Sequence, residues 1–401
     1  TRRRRHTTCL LSRGLGDVYK RQGLTRLKDG NFSVSDSEKD PDAIILRSYK
    51  LPVEELNDSL KAVARAGAGY NNVPVEECSE KGVVVFNTPG ANANAVKEIV
   101  LAGLLMSSRG IYAGANFVNK IDGVGSADLK AHIESGKKDF KGRELKGAML
   151  GVVGMGAIGA QVAGMGVFLD MEVIGYDPAI TVEAAWKLPN NVKRTDNLKN
   201  ILANSDYVTL HVPAVEATRN LIDKSMLEAC KPGLKLINFA RDEIVDSSAV
   251  IGALDSGQLG AYVTDFADLT LIERAKKFGD VIILPHIGAS TRQAEENCSV
   301  MAADQLKDYL ENGNIKNSVN FPELIEERQS DFRLTLSNKN VAGMIGQITT
   351  ILAENNINIV EMINKSRDEI AYNVIDLESE PSKKVIADLE ALENVINVRA
   401  I

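Results

Sequence analysis

The sequence predicts an α/β fold: a doubly wound parallel sheet inserted in a smaller α/β domain, followed by a separate small βαββαβ domain. Three observations predict it. Short apolar runs alternate with helical patterns from Pro41 to Asn312. A glycine-rich turn, Gly154-Met155-Gly156-Ala157-Ile158-Gly159, joins one of those runs to a helix pattern. From Asp331 onward the pattern restarts as strand, helix, strand, strand, helix, strand. A chain of 401 residues suggests two to three domains, at about 150 residues each. With 44% apolar and 25% charged residues it reads as an ordinary globular chain. Its longest apolar runs, such as Ile99 to Met106, fall far short of a bilayer span, which takes about 20 residues. The net charge of −7 argues against a general grip on nucleic acid. Cys9, Cys78, Cys230 and Cys298 lie far apart with no CxxC pair, so neither a disulfide scaffold nor a metal site is expected, and free thiols fit a reducing cytoplasm.

Taken in order, the first 22 residues stand apart. Thr1 to Gln22 carries +6, against −13 for the rest. An Arg-rich, acid-poor leader can be a targeting arm, but it lacks a clear amphipathic stripe, and we expect a non-native leader at 1–22 outside the fold. Strands are then expected at Asp42 to Leu46, Lys61 to Ala66 and Val83 to Phe86, with helices to about Leu60, near Val75 to Lys81, and from Asn94 to about Ala115. This is a small flavodoxin-like unit. Six further strands, at Met149 to Val153, Glu172 to Tyr176, Tyr207 to Leu210, Leu234 to Asn238, Ala261 to Thr264 and Val281 to Leu284, make a Rossmann-type sheet. We expect residues 23–92 and 293–322 to form the first domain and 93–292 the inserted one. Residues 323–330 are expected to form a linker, and 331–401 a ferredoxin-like domain.

The glycine turn lets a pyrophosphate approach backbone N–H groups at a helix N-terminus. Eighteen residues past Gly159, at the end of the next strand, Asp177 can accept from both ribose hydroxyls and would repel a 2′-phosphate, which favours NAD over NADP. Oxidation of an alcohol at neutral pH needs a base that titrates near neutrality. Of the histidines after the leader, His132 lies in a polar stretch, whereas His211 and His286 each follow an apolar strand, where open α/β sheets place their ligands. His286 sits in the small-residue loop Pro285 to Thr291; His211 is either a cofactor wall or a structural histidine. Arg241 follows the strand Leu234 to Asn238 and can fork onto a carboxylate or pair with Asp242 or Glu243.

The glycine turn with Asp177, the segment Asn238 to Asp246 and the segment Pro285 to Thr291 together resemble the D-2-hydroxyacid dehydrogenase family. Asn87 to Asn92 and Arg65 to Gly69 narrow the resemblance to members acting on 3-phospho-D-glycerate. The terminal block resembles an ACT domain, an amino-acid-binding regulatory module. The resemblance implies His286 as acid/base and Arg241 as the substrate-carboxylate arginine, with backbone N–H groups at Ala68 and Gly69 holding the same carboxylate. It further implies that Gly154, Gly156, Ala157, Ile158, Gly159, Asp177, His211, Pro213, Phe239, Ala240, Asp265, Gly288 and Ala289 line the NAD site. Arg47, Ser48 and Lys50 are candidates for a substrate phosphate, with solvated surface charge as the alternative.

Three departures from the family pattern stand out. Leu269 occupies the place of the glutamate that usually holds the imidazolium, leaving Asp268 or Glu273 as the third member; Asp242 replaces a frequent glycine; and the family's first strand is expected to be missing, replaced by the leader. In the terminal block Asn338, Asn340 and Asn358 match positions that hold an amino-acid effector, typically serine, between two chains, although Ala342 replaces a frequent proline. The expected protein is thus an NAD-dependent, cytoplasmic homo-oligomer, dimer or tetramer, opening serine synthesis. The alternatives are a glyoxylate or hydroxypyruvate reductase, which needs no phosphate site, and a cofactor-sensing or effector-binding protein without turnover.

Overall fold

The structure is a computed structural model and describes residues 8–13, 23–27, 32–186 and 188–401. It divides into two compact units, one formed by residues 1–92 and 292–401 and the other by Ala93–Thr291.

The first unit holds a five-stranded sheet of β1 (Thr8–Arg13), β2 (Phe32–Ser35), β3 (Ala43–Leu46), β4 (Ala62–Arg65) and β5 (Val84–Phe86), in the order β2-β1-β3-β4-β5. All its pairings are parallel. β1 corrects an expectation: part of the Arg-rich leader lies inside the fold, between β2 and β3 of this sheet, and supplies the strand expected to be missing. Leu10 pairs with Ala43 and Leu11 with Ile44, and both leucines are buried. The remaining leader residues, 1–7 and 14–22, lie outside the described residues. Successive residues of β3 serve opposite faces, as a strand's period of two requires. Ala43 and Ile45 face a core with Cys298, Ala302, Ala303 and Leu306 of the helix Arg292–Asn312, while Ile44 and Leu46 pack with Val63, Cys78 and Val85. Both faces are covered, which is why β3 to β5 read as unbroken apolar runs. The stretch expected to be helical up to about Leu60 holds only a short 3-10 turn at Val53–Glu55.

The second unit holds a parallel sheet of β6 (Met149–Val153), β7 (Glu172–Tyr176), β8 (Val192–Arg194), β9 (Tyr207–Leu210), β10 (Leu234–Asn238), β11 (Leu259–Thr264) and β12 (Val281–Ile283), ordered β12-β11-β10-β9-β6-β7-β8. Strand order reverses between β6 and β9, the switch point where such sheets bind ligands. Helices Ala93–Ser108 and Ala157–Phe168 cover one face, and Leu198–Asn204 and Ser247–Asp255 the other. The Rossmann-type reading holds, with β8 added at the edge; its Lys193 and Arg194 are exposed, so it carries no apolar signal. The helix expected from Asn94 to Ala115 is two, Ala93–Ser108 and Ile111–Asn119, broken at Gly110, whose added Cβ would lie 2.9 Å from the Phe140 backbone.

The chain returns to the first unit with an antiparallel sheet of β13 (Phe332–Lys339), β14 (Ile359–Arg367), β15 (Ile370–Leu377) and β16 (Val395–Ala400), in the order β14-β15-β13-β16. Helices Met344–Glu354 and Lys383–Glu390 cover one face, completing the ferredoxin-like arrangement. The other face lies on the rest of its unit. Tyr372 and Val374 enter the core around Phe86, Tyr309 and Phe321, and the Tyr372 hydroxyl donates to the Gly313 carbonyl at 2.8 Å. The Arg333 guanidinium, fully buried, forks onto Asp376 at 2.7 and 2.8 Å and donates to the carbonyls of Asn312, Glu326 and Glu327, each at 3.0 Å. Residues 323–330, expected as a linker, are thus pinned to the sheet, and Leu324 just inside them is buried.

Burial alone works against the Asp376 carboxylate, but the Arg333 hydrogen bonds and the Gln329 N–H hold it below the usual range. A depressed carboxylate contributes stability above its unfolded value, about 3.9, and loses that contribution as pH falls through the folded value. Asp376→Ala strands a buried cation and is expected to cost about 3 to 5 kcal/mol. Denaturant titrations at neutral pH check this, and the gap to the parent chain should narrow in strong acid.

Candidate active site

The turn after β6 uses its three glycines differently. Gly154 has φ +89°, and an added Cβ would lie 2.6 Å from the His211 carbonyl. A Cβ on Gly159 would stand 1.8 Å from the Gly154 carbonyl oxygen, so only glycine lets the helix Ala157–Phe168 come this close to β6. A Cβ on Gly156 would meet nothing within 4 Å. That open space lies at the helix N-terminus, beside Ala157 and Ile158 of its first turn, where a pyrophosphate finds N–H donors and favourable dipole potential. Asp177, just beyond β7, accepts from the Met155 N–H at 2.8 Å and the Ala179 N–H at 2.9 Å. A carboxylate offers about four acceptor positions, so capacity for ribose hydroxyls remains.

His211, beyond β9, hydrogen-bonds through Nε2 with the Thr209 hydroxyl at 3.0 Å, and its buried Nδ1 has no partner among the described residues. Burial pushes its imidazole down to about 3, so it is neutral at pH 7 and cannot take a proton there. Pro213 and Val215 follow, and the Pro213 carbonyl accepts from the Thr218 hydroxyl at 2.6 Å. Ala240 and Phe239 follow β10, with Phe239 buried. Arg241 is half-buried; its Nη1 donates to the Ala240 carbonyl at 2.6 Å, and Asn238 fixes the turn by donating to the Arg241 carbonyl at 2.8 Å.

His286 follows β12 with φ +49° and an exposed side chain. Its N–H donates to the carbonyls of Asp265 and Leu284, each at 3.0 Å, and the Phe266 ring meets the imidazole edge-on at 5.1 Å. Asp265, beyond β11, accepts through Oδ2 from the Gly288 N–H at 2.7 Å, while buried Oδ1 has no partner among the described residues. Ala289 of this loop packs against the core cluster that includes Phe239, Val263 and Ile282. Asp268 instead caps the helix Leu269–Phe278, accepting from the Leu271 N–H at 2.9 Å. His132 lies on the helix Leu129–Gly136 with its ring stacked on Phe117. The open space at Gly156, neutral His211 and the unsatisfied Asp265 oxygen fit a dinucleotide with a nicotinamide end.

In the first unit, Arg47 and Ser48 directly follow β3, and Lys50 is exposed nearby. Arg47 pairs with Glu295 at 2.8 Å, a partner sequence reasoning missed because it lies 248 positions away. Asn72 donates to the carbonyls of Arg47 and Tyr49, holding this loop. Gly67, beyond β4, has φ +148°, and the following N–H groups of Ala68 and Gly69 meet no backbone acceptor among the described residues. The Asn87 side chain donates to the Ala68 carbonyl at 2.7 Å, fixing the turn so that those N–H groups stay presented. In the terminal sheet, Asn338 is buried and accepts from Asn373, while Asn340 and Asn358 are exposed; no hydrogen bond joins the three among the described residues. Asn373, fully buried between Asn338 and Asn364, was invisible in sequence because it sits within an apolar strand. No group of three or more His, Cys, Asp or Glu among the described residues could hold a metal ion.

Gly156→Ala is expected to melt within a few degrees of the parent while its NADH affinity falls more than tenfold. Gly159→Ala is expected to lose stability first, because its methyl would overlap the Gly154 carbonyl. Melting curves and NADH fluorescence titrations separate the two.

Residues 102–288 match the profile of the D-isomer specific 2-hydroxyacid dehydrogenase NAD binding domain. The chain is 31% identical over 398 residues to the D-3-phosphoglycerate dehydrogenase of Haemophilus influenzae, covering 96% of this chain and 91% of that protein. To that of Escherichia coli K12 it is 30% identical over 382 residues, covering 92% and 88%. The crystal structure of NAD+-bound 3-phosphoglycerate dehydrogenase from Entamoeba histolytica aligns with a TM-score of 0.62 at 26% identity, over 79% of this chain and 100% of that one. A glycine turn built for a pyrophosphate, a histidine beyond the last strand of the sheet and relatives spanning nearly the whole chain lead to one conclusion: the chain belongs to the D-isomer-specific 2-hydroxyacid dehydrogenases and is an NAD-dependent enzyme of that family.

Proposed function

We propose that the chain oxidises 3-phospho-D-glycerate to 3-phosphohydroxypyruvate, the entry to serine synthesis, as a cytoplasmic homo-oligomer. The observation that carries this reading is its near full-length similarity to D-3-phosphoglycerate dehydrogenases. The site chemistry agrees with it. Arg241 forks onto the substrate carboxylate, and the Ala68 and Gly69 N–H groups donate to the same carboxylate from their turn. Arg47, Ser48 and Lys50 take the phosphate. His286 removes the proton from the C2 hydroxyl. NAD, when bound through Gly154 to Gly159 and Asp177, supplies the hydride acceptor. Neutral His211 walls the cofactor without competing for the proton.

The terminal βαββαβ block, in this reading, is an ACT domain that senses serine. The exposed side chains of Asn340 and Asn358 support an effector site shared with a second copy. Asn338 contributes indirectly, since its amide is engaged by Asn373.

Purified protein given NAD and 3-phosphoglycerate is expected to form NADH. Unphosphorylated D-glycerate should be used with kcat/KM about 100-fold lower, the loss of a charge-assisted phosphate grip; equal efficiency would remove the phosphate assignment in favour of a glyoxylate-type reductase. His286→Gln should lower kcat about 10² to 10⁴-fold with little change in NADH affinity. Serine titrated calorimetrically into the full chain should give a saturable heat that Asn340→Ala abolishes; a flat titration sinks the regulatory role.

A further inference from the structure

The first unit holds a cavity whose lining includes none of the residues assigned above to NAD or substrate. Its volume is about 660 Å³, within the range of about 300 to 1,000 Å³ usual for small-molecule sites. One wall is the helix Arg292–Asn312, on which Asn297, Met301, Asp304 and Asp308 follow one another at helical spacing along a single stripe. The turn at residues 89–91 and the segment at 314–317 supply the rest of the lining.

Hydrogen bonds fix the frame of this cavity. Gln305, buried on the helix, donates to the Asn87 carbonyl at 3.0 Å and accepts from the Asn317 side-chain amide at 2.7 Å, so three lining segments are tied together. Ile315, fully buried, exchanges backbone hydrogen bonds with Leu324 at 2.7 and 2.9 Å. Lys316 therefore springs from a backbone held on both sides, yet its exposed side chain makes no hydrogen bond or ion pair among the described residues. Asn312 and Asn314 donate to Asp308 Oδ1 at 2.8 and 3.2 Å and orient the carboxylate, whose Oδ2 has no partner among the described residues. Asp304 pairs only at 3.7 Å, with Arg26. One cation and two carboxylates thus line the same cavity without neutralising one another. Pro89, Ala91, Val300 and Met301 give it apolar surface.

Unlike charges that share a cavity without touching suit a ligand that carries both. A simple anion at Lys316 would meet the repulsion of two carboxylates, and a simple cation at Asp308 would meet that of the lysine. We propose that this cavity binds a free α-amino acid with a large apolar side chain. Its ammonium donates to Asp308 Oδ2, with Asp304 adding negative potential, and its carboxylate accepts from Lys316, each a charge-assisted hydrogen bond. The side chain lies against Pro89, Val300 and Met301, and the thioether favours an aromatic ring. The site shares no residue with Asn338, Asn340 and Asn358 of the terminal block, and binding to it needs no turnover, so it stands independently of both readings above.

The test is a calorimetric titration of the full chain with L-phenylalanine as the probe. A saturable heat with Kd below about 1 mM is expected. Phenethylamine, which lacks the carboxylate, and 3-phenylpropanoate, which lacks the ammonium, should each bind about tenfold more weakly or worse. Lys316→Gln and Asp308→Asn should each weaken phenylalanine by about the same factor, while Asn340→Ala, at the candidate effector site of the terminal block, should leave it unchanged. Lys316→Gln removes an exposed charge that has no partner among the described residues, so it decides the matter even if Asp308→Asn loosens the fold. A flat titration up to about 10 mM overturns the proposal. Binding that ignores Lys316→Gln, or that Asn340→Ala abolishes, puts the ligand elsewhere and overturns it as well. Phenethylamine binding as tightly as phenylalanine reduces the cavity to a site for cations, which also sinks the amino-acid assignment.

Discussion

Everything the second unit does depends on how closely one helix approaches one strand. The Gly154 carbonyl oxygen occupies the place where a side chain at residue 159 would begin. With that contact made, the helix Ala157–Phe168 can direct its N-terminal N–H groups at the switch point between β6 and β9, and Asp177 can reach back to the Met155 N–H. The sheet then fixes the rest. Arg241, Asp265 and His286 each stand just past the end of a strand, on β10, β11 and β12 in turn, and their spacing is the spacing of parallel strands. The three side chains lie on loops, but the positions of those loops are set by strand pairing.

A second constraint governs the first unit, and it is electrostatic. Arg333 is buried completely and satisfies its donors with one carboxylate and three backbone carbonyls drawn from the helix Arg292–Asn312 and the segment after it. Desolvating such a charge is tolerable only when every donor is matched. The terminal sheet therefore has one acceptable seating on its neighbours, with Tyr372 and Arg399 adding hydrogen bonds to the Gly313 and Leu310 carbonyls.

The sequence made the inserted sheet largely legible because each central strand is buried on both faces and reads as an uninterrupted apolar run; β8, short and solvated, lacked that signal. β1 was misjudged for the opposite reason. Its Leu10 and Leu11 are two apolar residues surrounded by arginine-rich text, and composition over the whole leader outweighed them. Within the site, the glycine turn, Asp177 and His286 were readable from local spacing. Glu295 against Arg47 was not, since tertiary folding alone brings the two together, and Asp268 drew attention as an acid whereas its local geometry makes it a helix cap. Asn373 was hidden within an apolar strand, where only the structure reveals the amide contacts on either side.

The helix Arg292–Asn312 links these two constraints along the chain. It begins at the residue after Thr291, which closes the loop bearing His286, and its last carbonyl, that of Asn312, is held by Arg333. At 21 residues it is a rod about 30 Å long. One element thus bears a hydrogen bond from the terminal sheet at its last carbonyl and runs directly on, at its other end, from the loop that carries His286.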